Sequence, residues 1–248
     1  MAGDRCAPDH ERTPARARVK VVLFDIDGTI LRTDGAGRRA MELALQRVFG
    51  TSGQPRYRYD GKTDMQIVRE LMRGAGFDDV TIDRRMPDVI ATYVRELGNE
   101  LRVGADRVRC YAGVVELIAA LETREDRVIG LLTGNVEPGA FAKLAAARLD
   151  CAKFRVNAFG SDHEERGELP AIALSRARSA LTRELAGDAL VLIGDTPADI
   201  ACGRGVGARA IAVATGQYSV SDLTAHEPHA AFSDLSNTAA VLQAIDDA

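Results

Sequence analysis

Asp25 and Asp27 stand two residues apart at the end of an apolar run, in the stretch Val21-Val22-Leu23-Phe24-Asp25-Ile26-Asp27-Gly28-Thr29. Carboxylates this close repel each other, so the pair is tolerable only if a cation lies between them or one keeps its proton. Either condition suggests a working site. A second pair, Asp195 and Asp199, follows the run Ala189-Leu190-Val191-Leu192-Ile193-Gly194, and its spacing puts both acids on one side of a helical turn. A third run, Arg127-Val128-Ile129-Gly130-Leu131-Leu132, closes on Thr133-Gly134-Asn135. There a hydroxyl and free backbone N–H groups can hold a phosphoryl oxygen as its charge redistributes. Each feature also has an ordinary reading: an Asp-Gly turn, a helix-surface acid, a helix N-cap before Pro138.

The elements that would position these groups follow from period. Continuous apolar runs describe strands buried on both faces, here at 21–24, 127–132 and 189–193, with further strands near 154–159 and 209–213. Helices are predicted between them, at 113–121, at 138–149, after Pro170, after Pro197 and at 236–248. This alternation predicts an α/β fold: a doubly wound parallel sheet, a Rossmann-like core, with its crevice at the strand carboxyl ends. Between the first and second long strands the period is helical. Met41, Leu45 and Val48 share one face, Ile67, Val68, Leu71 and Met72 a second, and Ile90, Tyr93, Val94, Leu97 and Leu101 a third. Thr63-Asp64-Met65-Gln66 has the form of a capping box. The expected organisation is a disordered tail over 1–17, a core of 18–34 and 109–248, and an inserted α-helical cap domain over 35–108.

A chain of 248 residues can hold such a core with its insertion. A net charge of −4 gives no general nucleic-acid surface. Cys6, Cys110, Cys151 and Cys202 are far apart and form no zinc or redox spacing. No apolar run is long enough to span a bilayer, and the first residues lack the apolar centre of a signal peptide, so a cytoplasmic location is expected. Gly61-Lys62-Thr63 sets the insertion's one lysine beside a helix N-terminus. That suits an anionic substrate group, or equally a solvated lysine next to a capping threonine. It is not a P-loop, because Arg56 replaces the leading glycine and no buried strand precedes it. Gly203, Gly205 and Gly207 follow a helix and lead into a strand, the reverse of a dinucleotide fingerprint. His226 and His229 lack a third ligand, and His163 reads as a surface-loop residue.

The Asp25-Ile26-Asp27-Gly28-Thr29 stretch, the strand closing on Thr133, a basic residue before the helix at Pro170, and Gly194-Asp195 with Asp199 resemble the four signatures of the haloacid dehalogenase-like superfamily of phosphohydrolases. The resemblance spans residues 20 to about 215. It implies Asp25 as a nucleophile attacking phosphorus, Asp27 as general acid and base, and Thr133, Gly134 and Asn135 as phosphate binders. Arg166 takes the place of a more frequent Lys-Pro. Lys143 and Lys153 compete for that role, but one falls mid-helix and the other precedes the third strand. Asp25, the backbone carbonyl of Asp27 and Asp195 would hold Mg2+, with Asp199 as a ligand or its support.

The implied activity is magnesium-dependent hydrolysis of a small phosphorylated metabolite through an aspartyl-phosphate, with the cap choosing the substrate and Lys62 a candidate contact. A monomer or homodimer is expected, with no nucleic-acid or membrane partner. A sugar phosphomutase uses the same aspartate pair, and a non-catalytic binding protein could keep the fold. A haloalkanoate dehalogenase needs no acid at position 27, and a phosphonoacetaldehyde hydrolase would place a small residue there.

Overall fold

The structure, a computed structural model, describes residues 19–248, so the tail expected over 1–17 lies outside the described residues. β1 (Lys20–Phe24) is buried along its whole length, as its apolar run requires. It is followed by the two-residue β2 (Leu31–Arg32), the helices α1 (Ala36–Phe49), α2 (Asp64–Gly74) and α3 (Asp79–Val103), and β3 (Arg109–Cys110), which pairs antiparallel with β2. The chain then alternates through α4 (Val114–Glu122), β4 (Arg127–Thr133), α5 (Glu137–Ala146), β5 (Val156–Phe159), α6 (Leu169–Leu181) and β6 (Leu190–Gly194). It finishes with α7 (Pro197–Cys202), β7 (Arg209–Val213), α8 (Val220–Thr224), β8 (Ala230–Phe232) and α9 (Thr238–Asp247).

Six strands form one sheet in the order β5-β4-β1-β6-β7-β8, with every neighbouring pair parallel. The chain builds outward from β1 through β4 and β5, then returns to the other side of β1 for β6, β7 and β8. This reversal opens a crevice at the carboxyl ends of the strands around β1. Phe24 lies opposite both Leu131 and Ile193, so Asp25, Thr133 and Asp195 emerge from three adjacent strands at nearly the same level. Alternate residues of β1 serve opposite layers: Val22 and Phe24 pack with α4, α5 and α9, while Val21 and Leu23 pack with α6.

The three helices between β2 and β3 bury their stripes against one another, with Met41, Leu45, Ile67, Leu71, Tyr93 and Leu97 in one apolar cluster. Thr63 caps α2 by accepting from the Gln66 amide at 3.1 Å. The reciprocal arm expected of a capping box is not formed; Gln66 Nε2 donates instead to Glu70 at 2.7 Å. Two features carry no sequence signal. The β2–β3 ribbon is two residues per strand, too short to show a period, and β8 is a half-buried edge strand without a continuous apolar run. Among the described residues, no helix is long and apolar enough to cross a membrane.

Candidate active site

The turn after β1 shows why its residue types are needed in that order. Gly28 adopts φ 88°, and a side chain there would overlap the Asp195 carboxylate. Thr29, fully buried, donates its hydroxyl to Asp195 Oδ1 at 3.1 Å. Gly194, at the end of β6, likewise leaves room for the Asp199 carboxylate, which a Cβ would strike. Asp199 is the third residue of α7, and its Oδ2 accepts from the Thr196 amide at 2.9 Å and hydroxyl at 2.7 Å, closing a capping box. Glycines thus clear space at two strand ends, and hydroxyls hold the acids that fill it.

Asp25, Asp195 and Asp199 are all buried, and one carboxylate oxygen from each lies within 4.8 Å of the others. The buried Arg166 places Nη2 3.3 Å from Asp25 Oδ1 and also pairs with Asp199 Oδ1. Its Nε finds no hydrogen-bond partner among the described residues. Burial opposes the arginine's charge, but Asp199 and Asp25 more than offset it and keep the group protonated. Burial pushes the Asp25 carboxyl up to about 6, against the pull of Arg166, with the charges of Asp199 and Asp27 adding to the rise. Asp195 is raised well above the usual carboxylate range, first by burial and then by Asp199 and Asp25.

Three buried acids with one arginine leave excess negative charge, and the donors are all hard oxygens. That set fits a magnesium-sized divalent cation. Asp199 already has both oxygens engaged, whereas Asp195 accepts from Thr29 alone among the described side chains. The acid at strand level is therefore freer to ligate than the one on the helix.

Asp27 has a different setting. Its side chain is nearly half exposed, and Oδ2 accepts from Asn135 Nδ2 at 2.8 Å and from Lys143 Nζ at 2.5 Å. Asn135 also donates to Thr133 Oγ1 at 2.8 Å and accepts from Lys143 at 2.6 Å, so the Thr133-Gly134-Asn135 turn ties Asp27 to β4. Thr133 is fully buried, and its hydroxyl is near enough to Asp25 to draw that carboxyl slightly downward. Gly134 is one point where the helical insertion meets the core: its carbonyl accepts from the Asp64 amide at 2.8 Å, and a Cβ there would overlap the Lys62 carbonyl. Thr63 donates to the Glu164 carbonyl at 2.6 Å, and buried Asp64 accepts from the Val136 amide at 2.9 Å.

These groups line a cavity of about 470 Å³ that holds Asp25, Asp27, Thr133, Arg166 and Asp195 on its core side and Arg38, Tyr59 and Lys62 from the insertion. Of the residues singled out from sequence, Asp25, Asp27, Thr133, Gly134, Asn135, Arg166 and Asp195 line this one crevice, and Asp199 stands behind it against Arg166. Lys62 lines the same cavity, but its ammonium is engaged by Glu70 and by Tyr57 Oη at 2.7 Å. Lys153 pairs with Glu122 at 2.6 Å, outside the cavity lining. Lys143, set aside as mid-helix, does reach the crevice. Side chains on a helix lean toward its N-terminus, and α5 begins at the β4 end. One signal was available: Lys143 lies in the same inward stripe as Ala140 and Leu144, where a lysine has no business unless it is paired.

Comparison with known proteins agrees with this geometry. The sequence profile described as haloacid dehalogenase-like hydrolase matches residues 22–204. An N-acetylmuramic acid 6-phosphate phosphatase of Pseudomonas aeruginosa is 30% identical over 217 residues, covering 85% of this chain and 88% of that protein. A crystal structure of a hydrolase from Pseudomonas syringae superposes with a TM-score of 0.66 at 20% identity, over 91% of this chain and 98% of the other. CbbY from Rhodobacter sphaeroides, solved with phosphate, gives 0.68 at 17% identity, over 88% and 96%. With its parallel sheet, its acids at adjacent strand ends and a matched profile over most of its length, the chain belongs to the haloacid dehalogenase-like hydrolase family.

Proposed function

We propose that this chain is a magnesium-dependent phosphatase that hydrolyses a small phosphorylated metabolite through an aspartyl-phosphate on Asp25. The observation that carries the reading is the flanking of Asp25: a buried cation and two further acids on one side, Asp27 on the other, around one cavity. Asp25, Asp195 and the backbone carbonyl of Asp27 would hold the magnesium, with Asp199 bracing Arg166. The ion would supply positive charge that draws a phosphoryl group onto the acids.

The chain's own groups do the rest. Arg166 offsets the charge of Asp25 and of the incoming phosphoryl oxygens, and Thr133 with the following backbone N–H groups donates to those oxygens. An oxygen of Asp25 attacks phosphorus in line while Asp27 gives its proton to the departing oxygen. Asp27 then takes a proton from the water that hydrolyses the phosphoenzyme. Residues 35–108 act as a cap that closes the cavity and reads the leaving group, with Lys62 shaping that wall through its pairing with Glu70.

The relative's name makes N-acetylmuramic acid 6-phosphate the first compound to try in a phosphate-release screen of sugar phosphates and short phosphorylated acids. Release with magnesium and its loss with chelator are the expected results. Isomerisation of a sugar phosphate without phosphate release would instead make the chain a phosphomutase. No turnover of any monoester, together with unchanged ligand binding by Asp25→Asn, would make it a binding protein.

A further inference from the structure

Lys143 is buried to 3% exposure in a helix interior, and nothing in the family's signatures requires it there. Its ammonium touches Asp27 Oδ2 at 2.5 Å and Asn135 Oδ1 at 2.6 Å, and Asn135 in turn reaches the same Asp27 oxygen at 2.8 Å. Asp27, Asn135 and Lys143 therefore form a closed triangle. Both of the donors fall on Oδ2, and Oδ1 takes no hydrogen bond from the described residues. The seat of the ammonium is completed from the insertion: a Cβ on Gly37 of α1 would come within 3.3 Å of Nζ, and the charge of Asp64, whose carboxylate accepts from the Val136 amide, acts on it. Burying a lysine costs more than a hydrophobic residue of equal volume would, so stability alone does not account for it.

We propose that Lys143 is a positioning residue for proton transfer: with Asn135 it grips Asp27 by Oδ2, so that Oδ1 carries the proton and meets the leaving-group oxygen. This rests on the phosphatase reading above. In the first step the bond from Asp25 to phosphorus forms, the bond from phosphorus to the leaving oxygen breaks, and the Oδ1 proton moves to that oxygen. A carboxyl group fixed by one oxygen presents the other in one direction. Without Lys143, Asp27 stands on an exposed turn held by Asn135 alone, and rotation of its carboxyl group carries the proton away from the departing oxygen.

The test exploits leaving groups that differ in their need for that proton. Wild type, Lys143→Met and Lys143→Gln are compared in single-turnover release of the leaving group from an alkyl phosphate monoester and from para-nitrophenyl phosphate, whose phenolate departs unprotonated. The glutamine variant keeps a polar partner for Asn135 in case the methionine variant does not fold. The expected result is a loss of ~10–100-fold on the alkyl ester, part of the ~10²–10⁴-fold that general acid catalysis contributes. Substrate KM should stay near the wild-type value, and the aryl ester should lose less than ~3-fold, because proton donation no longer limits it. Equal losses on both esters would mean a structural role only and overturn the proposal, as would wild-type rates on both. Wild type inactive on every monoester would defeat the phosphatase reading itself. A crystal structure of Lys143→Met decides the positioning claim separately: an Asp27 carboxylate still fixed on Asn135 in one orientation overturns it, and one spread over several orientations supports it.

Discussion

The two flanks of Asp25 use the same charges in opposite ways. On the β6 flank, Asp195 and Asp199 lie buried with Arg166, every partner belongs to the core, and the surplus of acid over base sets up a cation site. On the β4 flank, Asp27 is half exposed, its charge is matched by Lys143, and the surrounding groups come from both core and insertion. The first flank is built to hold charge in place, since its acids are pinned by Thr29 and Thr196. On the proposed reading the second moves a proton, which requires access to substrate and a direction set by neighbours. A single residue of separation along the chain, from Asp25 to Asp27 across Ile26, therefore divides a buried, acid-rich setting from a half-exposed, charge-paired one.

Asp25→Asn strikes the residue common to both flanks and should have the largest effect, lowering phosphate release by ~10⁴-fold or more, as loss of a nucleophile does. Its thermal unfolding in chelator should not fall below wild type, because burial already works against the Asp25 charge. Retained activity would sink the nucleophile assignment and with it the division between the flanks.

Arg166→Met isolates the β6 flank. It leaves buried carboxylates without their cation, so urea unfolding in chelator should show a loss of ~3–5 kcal/mol. Saturating magnesium should recover part of that loss by binding the folded state alone, ~2.7 kcal/mol at a hundredfold excess over Kd. If magnesium stabilises Arg166→Met no more than it stabilises an Asp195→Asn protein, the acids of this flank do not form a cation site.

Asp64→Asn probes the junction on the β4 flank through pH. Burial lifts the Asp64 carboxyl to about 6, partly countered by Lys143 and the Val136 amide, and the Asp27 charge adds to the rise. The folded value lies above the unfolded one, so the protonated acid favours folding. Its contribution is complete below pH ~4 and is lost as pH rises through about 6. Unfolding midpoints of wild type and Asp64→Asn should coincide near pH 4 and separate above pH 6 in favour of the variant, by at most ~3 kcal/mol. A wild type that is the more stable of the two at pH 7 would show that Lys143, not burial, controls this acid.

What the sequence determined by itself was local. Asp25-Ile26-Asp27-Gly28-Thr29 and Gly194-Asp195 each sit at the end of a buried run, where short-range geometry already fixes the turn and the direction of the acids. Alternation with helices was enough for a parallel, doubly wound sheet but not for its strand order, and the gathering of Asp25, Thr133 and Asp195 follows only once β4, β1 and β6 lie side by side. The tertiary structure alone decided which partners those groups have. Lys143 meets Asp27 across 116 positions of chain, Thr63 meets Glu164 across 101, and Lys62, though it lines the cavity, gives its ammonium to Glu70. A side chain of that length can reach several neighbours, and its choice depends on how the insertion seats on the core, a long-range packing outcome that no local period encodes.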